Sequence, residues 1–119
     1  MRISMVALGL VLLGGCANVA DIRANPPVLT LKSTKSAEQV AECIRDGWQS
    51  TSIIGGSVGG VLQKSGNSYS VIAPNSESPW HIADIVPVAV DASKITYRFH
   101  RTWQDPSEKV LSVVKSCAE

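Results

Sequence analysis

A short apolar segment near the N-terminus constrains this chain more than any other feature. It runs from Ile3 to Gly15, follows a single positive charge at Arg2 and ends in small residues before Cys16. Its thirteen residues are too few to cross a hydrocarbon core of about 30 Å as a helix. The layout is typical of a cleaved export signal. The fold must therefore come from the roughly one hundred residues that follow, which suffice for one domain.

The residues that end this segment resemble the lipid-attachment site of bacterial lipoproteins. The resemblance rests on Leu13-Gly14-Gly15-Cys16 and extends no further than the first sixteen or seventeen residues. It implies that Cys16 receives a diacylglyceryl group, becomes the N-terminus after cleavage and is then N-acylated. Several acyl chains would hold the protein stably on a bilayer, whereas a single chain gives only marginal binding.

The resemblance also implies a location. Ala17, rather than Asp, follows the cysteine, which is similar to lipoproteins that are sorted to the outer membrane. We expect residues 1–15 to be a signal peptide and the domain to face the periplasm, with a cell-surface orientation left open. The alternative is an ordinary secretory signal in which Cys16 is unmodified.

The charge balance argues against nucleic acid as a partner. Without Arg2, the eleven Lys and Arg residues become ten, which face ten Asp and Glu residues. Nucleic-acid binding depends on clustered positive charge, and a polybasic membrane-surface patch needs the same. A membrane partner is therefore expected through the lipid anchor at Cys16 alone.

The cysteine count predicts a disulfide. If Cys16 carries lipid, Cys43 and Cys117 remain as a pair in an oxidising compartment. A bond that closes their 74-residue separation would stabilise the fold by roughly 4 kcal/mol in the chain-entropy view. Free buried thiols or a redox couple are the alternatives, although the Cys-x-x-Cys motif typical of redox couples is absent from the sequence.

Two amphipathic helices are predicted, and each carries one of these cysteines on or beside its apolar face. Ser36 and Gln39 form a capping box at the start of the first. Asp105-Pro106 is expected to supply the cap and the first residue of the second. The apolar positions at helical spacing are Val40, Ile44, Trp48, Val110, Val113 and Val114.

Between the helices the hydrophobic period changes to two, which predicts strands. Residues 68–73 alternate and follow a turn at 64–68, so 59–63 is expected to be their hairpin partner. In a further strand, 82–90, Pro87 favours an edge position or a bulge. In the last strand four residues are predicted to face inward and four outward: Ile95, Tyr97, Phe99 and Trp103 inward, and Thr96, Arg98, His100 and Thr102 outward.

The predicted fold class is α+β, in the order α-β-β-β-β-α. An antiparallel meander of three to four strands carries both helices on one face, linked by the disulfide, and leaves the other face wet. Residues 35–119 are expected to form this domain. Residues 16–34, which include Pro26-Pro27, are predicted to be the lipidated cysteine and an extended tether; residues 28–31 are alternatively an edge strand.

Two surfaces are candidates for partner binding. The wet face of the last strand carries Arg98, His100 and the adjoining Arg101, whose charges suit an acidic partner. An ordinary solvated face is the alternative. Trp80 lies in a polar loop, where it is either tucked against the core or exposed as an interface anchor.

Residues that suggest catalysis or metal binding are few. The glycine-rich stretch 55–60 lacks the Gly-Lys-Ser/Thr ending of a phosphate loop. His81, Asp84 and His100 are too few for a supported zinc site unless the fold brings all three together. We expect no metal, no cofactor, no catalytic residue and no small-molecule substrate.

Three functional hypotheses follow. The first is a non-catalytic lipoprotein that serves as a binding or accessory component of an envelope assembly. The second is a receptor-blocking lipoprotein of the phage-exclusion type, an analogy of size and anchor only. The third is a hydrolase or metal-binding protein that uses His81, Asp84 and His100.

Overall fold

The computed structural model describes residues 18–119. The predicted signal peptide and Cys16 lie outside the described residues. The α+β fold with helices at both ends of the domain is confirmed. In chain order the elements are α1 (Val19–Arg23), β1 (Leu29–Ser33), α2 (Ala37–Gln49), β2 (Ser52–Ile53), β3 (Gly56–Ser57), β4 (Val61–Ser65), β5 (Ser68–Ala73), β6 (His81–Ala89), β7 (Ala92–Phe99) and α3 (Glu108–Ala118).

Five strands form one antiparallel sheet in the order β1-β7-β6-β5-β4. β4 to β7 are the predicted meander, in which neighbours in sequence are neighbours in space. β1 is added at the outer edge of β7, from Leu29 opposite Tyr97 to Ser33 opposite Ser93. β2 and β3 form a separate small hairpin after α2.

The predicted tether is wrong for residues 19–33. Asn18 and Asp21 make reciprocal capping hydrogen bonds that start α1, and Ile22 is fully buried. All five residues of β1 pair with β7, so the edge-strand alternative is the correct one. Pro26-Pro27 shapes only the short connection between these elements, because a proline pair prevents helix without preventing a strand from following. The folded body therefore includes the segment from Asn18 to Ser33.

The main core lies between one face of the sheet and the pair α2 and α3. The capping box of Ser36 and Gln39 is confirmed. Trp48 is completely buried, and its indole Nε1 donates a hydrogen bond to the Val110 carbonyl of α3 at 3.2 Å. The predicted disulfide between Cys43 and Cys117 is present, with Cα atoms 5.7 Å apart.

The close packing of the two helices depends on Gly47. It lies inside α2, and a Cβ at this position would approach Val113 Cγ1 of α3 to 2.6 Å. Glycine therefore serves here as a contact point between helices. It does not end the helix, although glycine often has that role.

Two predicted boundaries are wrong. α3 begins at Glu108 with Ser107 as its cap, whose hydroxyl accepts from the Lys109 N–H, so Asp105-Pro106 precedes the helix. β7 ends at Phe99, one residue after which the His100 N–H still donates to the Trp80 carbonyl at 2.9 Å, in register with the pairing of Phe99 and His81. The alternation predicted beyond Phe99 does not exist.

The predicted hairpin and the predicted bulge are confirmed in a refined form. The turn between β4 and β5 is only Gly66-Asn67, and Gly66 has the positive φ of 61° that such a tight turn requires. A bulge lies between Pro87 and Ala89. β6 is the central strand, but Pro87 lies beyond Ile85, the last residue that pairs with β5. At Pro87 one side of β6 is therefore a free edge, where proline is tolerated.

Candidate functional site

The face of the sheet opposite α2 and α3 is only partly exposed to solvent, because α1 covers part of it. Ile22 packs with Ile72 and Ile82 in a second small core, all three essentially without exposure, and Val19 packs against them. Apolar residues on both faces of β5 and β6 account for this arrangement. The sequence shows Ile72 and Ile82 on the outward side of their strands, which is the only signal that this face has a cover.

A polar network fastens α1 beside this small core. The Arg23 guanidinium donates to both Asp84 carboxylate oxygens, at 3.0 and 2.7 Å, and to the Ser70 hydroxyl at 2.9 Å. Ser70 in turn donates to Asp84 at 2.7 Å. The hydrogen bond with Asp84 raises the pKa of Arg23 above its ordinary value. Two-point binding of a carboxylate by arginine is directional as well as strong, so it sets the position of α1 on the sheet.

Arg98, predicted to be displayed on a wet face, belongs to the same structure. Its Nε donates to the Asn25 carbonyl at 3.0 Å, and its Nη1 lies 3.7 Å from Asp84. Only 21% of the side chain is exposed. Asn25 also donates from Nδ2 to the Phe99 carbonyl. Arg98 therefore binds the segment around Asn25. Its side chain is not displayed on an open cationic face of β7, so that prediction is wrong.

His81 lies in the main core. It is 7% exposed, its Nδ1 is 2.7 Å from the Tyr97 hydroxyl, and its ring packs against Trp48 and Phe99. Burial lowers the pKa of His81 to about 4, with a smaller contribution from the positive charge of His100. Burial likewise raises the pKa of Tyr97. His81 is a neutral, hydrogen-bonded core residue at neutral pH.

The structure does not bring His81, Asp84 and His100 together. His81 packs in the main core, whereas Asp84 binds Arg23 on the other face of the same strand. His100 lies past the end of β7, stacked against Trp80. Across residues 18–119, no three His, Cys, Asp or Glu side chains are grouped to hold a metal ion.

Val28, Val61, Val86, Val88 and Val90 are exposed at separate places on the strands and turns, whereas four larger exposed apolar side chains lie on the β2–β3 hairpin, just before β6 and in the loop after β7. We call this set the apolar end: Ile53, Ile54, Trp80 and Trp103. Ile54, at the tip of the β2–β3 hairpin, is fully exposed, and Trp103 is 76% exposed although it was predicted to face the core. Trp80 is 51% exposed, so it is not tucked against the core, and its role as an interface anchor stays a prediction.

The members of the apolar end are held by neighbouring parts of the chain. Trp80 stacks on His100 with ring centroids 5.1 Å apart, and burial is the main cause that lowers the pKa of His100. A small cavity of about 150 Å³ between the β2–β3 hairpin and Trp80 is bordered by Ile53 and Trp80. The Lys109 ammonium donates to the Ser52 carbonyl at 3.3 Å, which ties the start of α3 to the hairpin.

Arg101, the remaining predicted binding residue, lies in the loop between β7 and α3. Its guanidinium lies 5.1 Å from the centre of the Trp103 ring and donates to Gln104 at 2.9 Å. Arg101 and Trp103 thus form an exposed cation–π pair. Of the predicted binding residues, Arg101 and Trp80 lie in exposed positions near this surface, and their role in binding stays a prediction. The sequence analysis missed the β2–β3 hairpin, for which Ile53-Ile54 followed by Gly55-Gly56 is the available signal.

Comparisons with known proteins identify no relative: no family model, no curated protein and no solved structure matches this chain. In the part of the chain from residue 18 onward, none of the helices has the length and apolar character needed to span a membrane.

Proposed function

We propose that this chain is a lipoprotein of the outer membrane, anchored by acyl chains on Cys16. Its α+β body is a non-catalytic binding or accessory component of an envelope assembly on the periplasmic side. The observation that carries the proposal is the bond between Cys43 and Cys117. These two cysteines stabilise the body, and the third cysteine of the chain is the one in Leu13-Gly14-Gly15-Cys16.

The polar residues that could take part in catalysis are engaged in structural contacts, which favours a binding role over catalysis. His81 is a core residue, and Asp84 and Arg98 are committed to α1. The groups presented to the outside are large apolar side chains such as Ile54 and Trp103. Exposed aromatic and branched side chains that cluster at one place are typical of interaction surfaces.

Intact-mass measurement on the mature protein from membranes tests the anchor. We expect a mass that starts at Cys16, includes acyl chains and lacks the two hydrogens of the Cys43–Cys117 bond. The matched control is Cys16→Ala, which loses the lipid mass and the membrane location. An unprocessed leader, or three titratable thiols in the unfolded protein without reductant, would contradict the proposal.

A second experiment tests the accessory role. The lipidated protein is cross-linked in intact cells and purified from detergent-solubilised membranes, with Cys16→Ala as the control that is displaced from the membrane. We expect an envelope protein that is recovered with the wild type and lost with the control. Recovery of no specific partner would argue against an accessory component while leaving the anchor in place.

A further inference from the structure

We infer that the apolar end lies in the interfacial region of the bilayer, next to the acylated Cys16. The body would then contact the membrane at a second point besides its lipid. This inference rests on the proposed lipid anchor and adds the orientation of the body, which the anchor alone does not determine.

The first step concerns the distance between anchor and body. Only Ala17 separates Cys16 from Asn18, and two residues span at most about 7 Å. Asn18 caps α1, which Arg23 and Ile22 hold against the sheet. The chain therefore keeps the lipidated Cys16 within about 7 Å of Asn18, so part of the body surface must face the headgroups closely.

The second step concerns which part of the body that is. Val19, the first residue of α1, packs against the cluster that contains Ile72 and Ile82. Ile72 of β5 pairs with Ile82 of β6, and only one further pair, Ala73 with His81, follows before this end of the sheet. Trp80 lies two residues beyond Ile82, or about 7 Å along the strand direction. The anchor therefore meets the body near the end that carries Trp80.

The remaining members of the apolar end lie at the same end of the sheet. The His100 N–H binds the Trp80 carbonyl, and the loop that starts at His100 contains Trp103. The same loop leads to Lys109, which binds the carbonyl of Ser52 in the β2–β3 hairpin. Ile54 is at the tip of that hairpin. The chain therefore places two tryptophans and an exposed isoleucine around the anchored end.

The third step concerns chemistry. Tryptophan is enriched where membrane proteins meet the headgroups, because its ring is apolar and its N–H is polar. Arg101, stacked on Trp103, supplies a guanidinium that suits lipid phosphate. The opposite end of the sheet, at the β6–β7 turn, exposes only the aliphatic Val86, Val88 and Val90 among its large apolar side chains. A bilayer held within about 7 Å is present at very high effective concentration, which favours it over a diffusing protein as the occupant.

Fluorescence quenching in vesicles tests the inference. The mature lipidated protein is reconstituted into phosphatidylethanolamine–phosphatidylglycerol vesicles that carry bromine on their acyl chains. The chain has three tryptophans, of which Trp48 is fully buried. We expect strong quenching of the wild type, partial loss of quenching in Trp80→Phe and in Trp103→Phe, and loss of most of it in the double variant, which retains only Trp48.

Ile54 provides a matched pair of variants. Ile54→Asp places a charge at the apolar end, and Val90→Asp places the same charge at the opposite end, where the side chain is 89% exposed. Neither residue belongs to the buried core, so both variants are expected to fold. We expect Ile54→Asp to reduce the quenching of Trp80 and Trp103 and Val90→Asp to leave it unchanged.

The outcomes separate this inference from the proposed function. If the lipidated protein floats with the vesicles but Trp80 and Trp103 are not quenched, the orientation is wrong and the anchor stands. The apolar end is then available to a protein partner. Equal effects of Ile54→Asp and Val90→Asp would also overturn the orientation. A mature protein without lipid mass, which does not float, would overturn both proposals.

Discussion

Arg23 binds both carboxylate oxygens of Asp84, at 3.0 and 2.7 Å, across a sequence separation of 61 residues. This contact joins a helix of five residues to the central strand of the sheet. A helix this short is not stable by itself in water. Its position therefore depends on tertiary contacts, namely this ion pair and the burial of Ile22.

Removal of the Arg23 side chain should loosen the N-terminal segment. We expect Arg23→Ala to lower the free energy of unfolding by about 1 kcal/mol, because a part-exposed pair is weak but this one is bidentate. Amide hydrogen exchange should rise more in α1 and β1 than in α2. The control is Arg45→Ala, which breaks an exposed pair with the adjacent Asp46 and should change stability by less than about 0.5 kcal/mol. Equal effects of the two variants would contradict this role.

The folded body should require residues 18–34. We expect a chain of residues 35–119 to unfold at much lower urea concentration than a chain of residues 18–119. It loses β1 from the edge of β7 and uncovers Ile72 and Ile82. Urea titration followed by circular dichroism makes the comparison. Equal unfolding midpoints would show that residues 18–34 are a tether that adds nothing to the stability of the domain.

The disulfide should supply a large share of the stability. We expect the double variant Cys43→Ser, Cys117→Ser to lose roughly 4 kcal/mol of unfolding free energy, because the bond closes a long loop in the unfolded chain. Urea titration of the wild type with and without reductant should show the same difference. A reduced wild type with an unchanged midpoint would contradict this expectation.

Local signals in the sequence identified the two long helices and the main strands. Ser36 and Gln39 mark the start of α2 with side chains that bind backbone groups three residues away, so the signal and its effect lie in the same short segment. The disulfide was predictable because Cys117 lies on the apolar face of its helix and Cys43 lies beside the apolar face of the other. These elements needed no knowledge of distant parts of the chain.

The parts that the sequence did not reveal depend on contacts between distant segments. α1 has too few residues to show a period, and its partner Asp84 is recognisable only once the strands are paired. Trp103 was predicted to face the core because the alternation seemed to continue, whereas β7 ends at Phe99 and Trp103 lies in the loop that follows. As a result, the sequence did not show that α1 and its contacts cover Arg98. Of the apolar end, only Trp80 was predicted as a candidate for partner binding.

Acidification should destabilise the protein through His81. Its pKa is about 4 in the folded protein and about 6.5 in an unfolded chain, so between these values the unfolded state binds more protons. Stability is therefore expected to fall as pH decreases from 6.5 to 4, by up to about 3 kcal/mol. Urea midpoints measured at several pH values, at constant ionic strength, give the profile.

The variant His81→Phe should remove most of this pH dependence in that range. It also removes the bond to the Tyr97 hydroxyl, so it is made together with Tyr97→Phe, and Tyr97→Phe alone is the control that retains the histidine. His100, whose pKa is also lowered, contributes in the same direction and is tested separately with His100→Gln. A double variant with the full wild-type pH dependence would show that His81 is not its source.

The contact between Gly47 and Val113 should be visible as a coupling free energy. We expect Gly47→Ala to destabilise the protein by about 1–2 kcal/mol. The new Cβ overlaps Val113 Cγ1, and the overlap outweighs the gain in helix propensity of about 1 kcal/mol. In a Val113→Ala background, the same change should become neutral or stabilising, because the obstructing methyl groups are gone. Glu42→Ala, at an exposed position of α2, serves as the control for propensity alone. Additive effects in the double variant would show that the helices shift apart without resistance, and that glycine is not required for their packing.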